Sequence, residues 1–237
     1  MNTSKLYTGT ITVILLAFSL NGFAQSQTNG DVFYPGVMDP GRISTAIGFS
    51  VSQLPRDVVG ETASQLPMLR MDSRLGVPGG FSADISVSSI YITNTVTVGG
   101  AWSGEYDELS LSVGAQLTYW FGVAKLDAFN ASAKGLMVTP YVAGGIDLGL
   151  CKVVVRGELY FAQNSKAIVG STCINCLRAG VSGVSVSTSL QKELYGNVEI
   201  LIGARIQYSQ PDHETWIAFP NPNRWNVTPK LLFGYVL

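Results

Sequence analysis

Histidine and cysteine are scarce in this chain, and long apolar runs are nearly absent. His213 is the only histidine, and Cys151, Cys173 and Cys176 are the only cysteines. An odd cysteine count excludes a complete intrachain disulfide framework. Cys173-Ile-Asn-Cys176 has the spacing of half a zinc site, but no second such pair exists and one histidine cannot supply the missing ligands. The sequence therefore points to no metal site and no cofactor. Charged residues make up only 13% of the chain and form no basic stripe, which excludes the usual electrostatic footprint of nucleic-acid binding. After the first two dozen residues, no apolar run approaches the ~20 residues of a membrane helix, and no segment shows a convincing helical period.

The N-terminus carries the exception. Lys5 precedes an apolar stretch from Ile11 to Phe23, followed by Ala24 and polar Gln25. A basic start, a short apolar core and a small residue before a polar continuation make up a secretory signal peptide. Asn21 and Gly22 interrupt the run, so it spans a bilayer poorly. The expected organisation is a signal peptide over 1–24, a lead-in over 25–42 and one domain over 43–237. Removal of Lys5 leaves 14 basic against 16 acidic residues, a net charge near −2. In an exported chain, Cys173 and Cys176 read as a local disulfide clasping a loop.

The rest alternates apolar with small or polar residues, which is the β signature. From Leu109 to Phe121 the odd positions are Leu, Leu, Val, Ala, Leu, Tyr and Phe; the even ones begin Ser, Ser, Gly, Gln and Thr. Thirteen residues are long for a globular strand and suit a tilted strand crossing a bilayer. The same reading gives about ten segments: 43–53, 66–77, 81–92, 94–103, 108–121, 136–150, 153–162, 178–192, 195–209 and 225–237. The mean hydropathy of +0.26, without membrane helices, agrees with apolar side chains presented to lipid by strands.

Leu231, Phe233, Tyr235 and Leu237 alternate through the last strand. In this pattern the chain resembles the bacterial outer-membrane β-barrel proteins, whose final strand is recognised during assembly. The resemblance implies an antiparallel up-and-down transmembrane β-barrel of about 10 strands, with 8 or 12 as alternatives, in the outer membrane. Its partners would be outer-membrane lipid, the barrel assembly machinery and an extracellular ligand reached through loops. In such barrels periplasmic turns are short and outer loops longer. The connections at 78–80, 104–107, 151–152 and 193–194 are short; those at 54–65, 122–135, 163–177 and 210–224 are long. Only the turn near Thr93 breaks the alternation, and both termini are expected in the periplasm.

In a barrel the polar faces line the lumen. They carry Arg70, Asp72, Arg74, Asp84, Asp147, Arg156, Glu158, Glu199, Arg205 and Lys230, five acids against five bases. About ten strands enclose a narrow space that side chains largely fill, so these charges are expected to pair into a balanced, salt-bridged lumen, with an ion-conducting slit as the alternative. A further alternative is a lipid-acting barrel hydrolase or acyltransferase. Omptin-type proteases use an Asp-x-His couple, whereas Asp212 and His213 are adjacent. Lipid A deacylases place His and Ser two apart, whereas Thr215 follows His213. The sequence assigns no catalytic residue. Glu105 to Glu108 reads as a solvated turn, and Trp216, Phe219 and Trp225 as members of an interfacial aromatic belt.

Overall fold

The fold is described from a computed structural model, which covers residues 32–54, 65–90, 92–126, 129–169, 172–177, 179–194, 198–211, 216 and 224–237. The expected signal peptide over 1–24 lies outside them. Within them the chain is all β: β1 (Ile43–Gln53), β2 (Gln65–Val77), β3 (Phe81–Ile90), β4 (Thr93–Tyr106), β5 (Leu109–Leu126), β6 (Phe129–Asp147), β7 (Lys152–Val169), β8 (Thr172–Leu177), β9 (Gly180–Glu193), β10 (Glu199–Ser209) and β11 (Asn226–Val236). Every pairing is antiparallel between sequence neighbours, except that β7 pairs with both β8 and β9, and β1 with β11. Since β8 and β9 lie in line along β7, they form one interrupted strand, and the ring closes as a ten-strand barrel. The last strand meets the first in register from Ala46 opposite Val236 to Ser52 opposite Lys230, with Phe49 and Phe233 stacked at 4.9 Å across the seam.

Side-chain alternation along each strand is inverted relative to a soluble barrel. On β5 the outward residues Leu109, Leu111, Val113, Leu117 and Tyr119 are exposed, while Ser110, Ser112, Thr118 and Trp120 are buried. Leu231, Tyr235 and Leu237 point outward in the same way. Lumen-facing Ser, Thr and Gly are small enough to fit a narrow ring. The β2–β3 turn is built on Gly79 and Gly80, both at positive φ (83° and 78°), which a side chain would strain.

Strands β5 to β8 continue beyond the rim reached by the others. Segments 122–135 and 163–177, expected as long loops, are mostly strand: β5 and β6 are joined across 127–128 alone, and β8 occupies 172–177. Backbone pairing carried onward from the barrel holds this region, although its Ala-, Ser- and Lys-rich sequence lacks apolar contrast. The result is a four-stranded flange standing above the ring. Bulges mark its base: β7 slips one residue against β6 between Leu136 and Met137, and one against β9 between Tyr160 and Phe161. A bulge bends a strand and re-aims its side chains, and here it resets which β7 residues face inward where barrel gives way to flange.

Candidate functional site

The barrel interior holds most of the polar chemistry of the described residues, and a belt of charges crosses it. Arg74 Nε on β2 lies 3.6 Å from Asp84 Oδ1 on β3. The Tyr141 hydroxyl, across the lumen on β6, donates to Asp84 Oδ2 at 3.3 Å. The Arg156 guanidinium stacks 3.6 Å above the Tyr141 ring, donates to Gln116 Oε1 at 3.0 Å and pairs with Glu158 at 2.7 Å. Glu158 also meets Arg205 of β10 at 3.3 Å and accepts hydrogen bonds from the Tyr160 hydroxyl (2.6 Å) and the Ser185 hydroxyl (2.9 Å). Glu158 is thus held by four donors, as a buried carboxylate requires if it stays ionised. Beside this belt Arg70 and Asp72 pair at 2.7 Å.

Not every lumen candidate joins the belt. Asp147 ends β6, and its Oδ1 accepts the Gly149 amide of the β6–β7 turn at 2.8 Å. Its short side chain caps a turn at the rim instead of reaching inward. Glu199 begins β10 at the same rim, buried, and accepts a hydrogen bond from Gln191. Lys230 is buried on β11 at the level of Arg205. The middle of the lumen therefore holds three acids (Asp72, Asp84, Glu158) and five bases (Arg70, Arg74, Arg156, Arg205, Lys230), a surplus of two positive charges. The other two of the five acids, Asp147 and Glu199, sit at the rim.

The lead-in closes the lower mouth, where both the Ile43 and Val236 ends lie. Tyr34 is buried at 6% exposure. Its carbonyl accepts from Arg74 Nη1 at 2.6 Å, its hydroxyl from Ser110 at 3.1 Å, and Lys152 sits over its ring at 5.1 Å. The Val37 amide donates to Glu105 Oε1 at 2.7 Å, so Glu105 anchors this segment instead of lying in a solvated turn. A Cβ at Gly145 would come within 2.6 Å of Tyr34, so only glycine lets the strap seat this deeply.

A different chemistry operates at the upper mouth, on its flange side. Trp216, from the β10–β11 connection, has no exposed surface and packs on Trp120, Ala124, Ala131, Ala133 and Ala167, the inner face of the flange. Its indole donates to Thr93 Oγ1 at 2.9 Å. The expected place of Trp216 in an aromatic belt is corrected: the flange offers an alanine-lined recess of matching size. Trp225 does face outward, against Tyr208 at 5.0 Å. Between the mouths lie small cavities of about 40, 70 and 80 Å³, each with room for a few waters. Cys173 and Cys176 are joined in a disulfide that lies within β8 and not in a loop, and Cys151 is free and half-buried. Asp212, His213, Thr215 and Phe219 fall outside the described residues.

The exterior sets the class. On β6 the outward residues from Leu136 down to Ile146 carry no charge. Those ten steps span ~33 Å along the strand, or about 25 Å across a bilayer at a tilt near 40°, the height of a lipid-facing apolar band. Lys134 stands just above and Asp147 just below. An apolar wall of that height around a charged interior defines a transmembrane β-barrel. No protein-family model and no curated protein matches the chain. Among solved structures it is similar to the NanC porin (11% identity, 81% of this chain and 98% of that one, TM-score 0.44). It is also similar to the β domain of the Bordetella autotransporter BrkA (11%, 84% and 99%, 0.44) and to Neisserial surface protein A (10%, 82% and 94%, 0.39). At these identities and scores nothing of their activities carries over.

Proposed function

We propose that the chain is a sealed outer-membrane barrel with a structural or surface-interaction role, its outside contacts made by the flange and the loops beside it. The observation that carries this reading is the filled lumen: the Tyr34 strap seated in the lower mouth, Trp216 packed on the flange above, and a salt-bridged belt between. A carboxylate held by two guanidiniums and two hydroxyls is arranged for rigidity. The reading assigns no catalytic residue. Its partners are outer-membrane lipid, the assembly machinery that takes up the Leu231–Leu237 strand, and an extracellular ligand at the loops; residues 1–24 are removed on export. Refolded protein in planar bilayers should be electrically silent, and a steady, reproducible conductance in the wild type would overturn the proposal. N-terminal sequencing of exported protein should begin at Gln25.

A second reading, a narrow passive channel, is favoured by the surplus of two positive charges in the middle of the lumen. It predicts anion-selective current whose selectivity falls on Arg205→Ala. Current that is cation-selective or indifferent to that substitution would end it.

A further inference from the structure

We propose that Lys134 and Lys166 form a binding site for the phosphate of an outer-leaflet lipid on the outer surface of the flange. The inference rests on the outer-membrane reading and adds a site to it. Lys134 of β6 and Lys166 of β7 lie directly opposite in the antiparallel ladder, and both side chains are exposed on the outward face. Directly opposed residues have Cβ atoms about 5 Å apart, and like charges there are destabilising. Among the described residues neither lysine has a salt bridge or hydrogen-bond partner. No acid lies on this face of β5, β6 or β7 above the bulge. An anion between the two ammonium groups would turn this repulsion into a clamp.

Height identifies the anion. Immediately below Lys134 the outward face of β6 continues as Leu136 and Val138. Below Lys166 come Asn164, opposite Leu136, and, past the β7 bulge, Phe161 and Leu159. The register partner of Lys134 on its other side is Phe121, whose ring lies 6.1 Å from that of Tyr119. The lysines therefore stand where the apolar band ends, above aromatic rings of the interfacial kind. An acyl chain lying along the Leu136–Val138 and Leu159–Phe161 wall brings its own headgroup to the lysine pair. A soluble anion has no such anchor. Among the strand residues whose side chains are described, outward-facing charge elsewhere is confined to the opposite rim, at Lys192, so the pair is not part of a general basic coat. A phosphomonoester, with about −1.5 to −2 charge and three acceptor oxygens, matches two converging ammonium groups, and the phosphorylated glucosamines of lipopolysaccharide carry such groups in the outer leaflet.

The test uses the full-length exported protein in nanodiscs of phosphatidylcholine with added lipid A, either bisphosphorylated or enzymatically dephosphorylated, and native mass spectrometry to count lipid retained per barrel. The wild type should retain the bisphosphorylated form about tenfold over the dephosphorylated one. Lys134→Ala/Lys166→Ala should lose that preference, while Lys134→Arg/Lys166→Arg and Lys192→Ala keep it. A second measurement separates binding from folding. In lipid-free zwitterionic detergent Lys134→Ala should raise the unfolding midpoint by relieving the opposed charges, and with bisphosphorylated lipid A it should lower it. Equal retention of both lipids by the wild type, an undiminished preference in the double alanine variant, or a midpoint shift of one sign in both media would overturn the site. Failure of the wild type to insert as a heat-modifiable barrel would overturn the membrane reading as well, and the gel distinguishes that result from loss of phosphate preference.

Discussion

The two mouths of the barrel are packed by unlike means. Below, a strap of extended chain is held by directional polar contacts: a guanidinium on a carbonyl, a carboxylate on an amide, an ammonium over a ring. Above, a single indole fills an alanine recess and makes one hydrogen bond. Polar contacts specify position but contribute little net free energy each, whereas apolar contact scales with area and has no direction. The lower closure should therefore be exact in register and sensitive to ionic conditions, and the upper one tolerant of conditions but sensitive to side-chain volume.

The largest effect should come from the wall that both closures share. Glu158→Ala removes the acceptor for Arg156, Arg205, Tyr160 and Ser185 together. Breaking a buried pair from one side costs about 3–5 kcal/mol, because the remaining charge is uncompensated. Urea unfolding in detergent should show a loss of that order, and both mouths should loosen at once. If only one loosened, the belt would not be their common support.

Trp216→Ala comes next and should act on the upper mouth alone. Loss of a fully buried tryptophan costs about 3–5 kcal/mol when the site cannot collapse. The surrounding alanines are too small to fill the gap, although as part of a connecting segment Trp216 should fall near the lower figure. Limited proteolysis should then cut the β10–β11 connection faster while the segment around Tyr34 stays protected. Arg74→Ala should give the converse, with an expected loss of about 2–3 kcal/mol from charge-assisted hydrogen bonds and the ion pair with Asp84, and protease access gained near residues 32–38.

How legible these regions are in the sequence differs for the same physical reason. Strand positions and faces read clearly because alternation has period two, and Leu109 to Phe121 declares its lipid side by composition alone. The flange does not read, since Ala131, Ser132, Ala133, Lys134 and Gly135 offer no apolar contrast, and a face packed on one tryptophan needs only small residues. Trp216 shows an aromatic in a loop but not its direction, which is set by residues far away in sequence. Among the charges, Glu158 and Arg205 follow from parity. Asp147 and Glu199 mislead because parity gives the face and not the height, and at a strand's end a short carboxylate finds the turn or a neighbouring amide first. The burial of Tyr34 carries no local signal: its partners Arg74, Ser110 and Gly145 come from three separate strands.

The smallest expected effect is the sharpest probe of the difference between the mouths. Lys152→Gln removes the ammonium lying 5.1 Å from the Tyr34 ring centroid, a contact worth about 0.5–1 kcal/mol at a partly exposed site. Lys152 sits at the rim, where salt reaches it, so the wild-type strap should lose protection as sodium chloride is raised from low ionic strength to 1 M, where the Debye length falls to about 3 Å. In Lys152→Gln that salt-dependent part should shrink while the Arg74 contacts, buried deeper, persist. Protection of the segment carrying Trp216 should be flat or slightly increased over the same range, since salts that are excluded from protein surfaces strengthen apolar burial. Hydrogen exchange at the Val37 and Val123 amides reads the two mouths separately, through the Val37–Glu105 and Val123–Ile92 hydrogen bonds. Equal salt dependence at the two amides would remove the distinction between a polar lower seal and an apolar upper one.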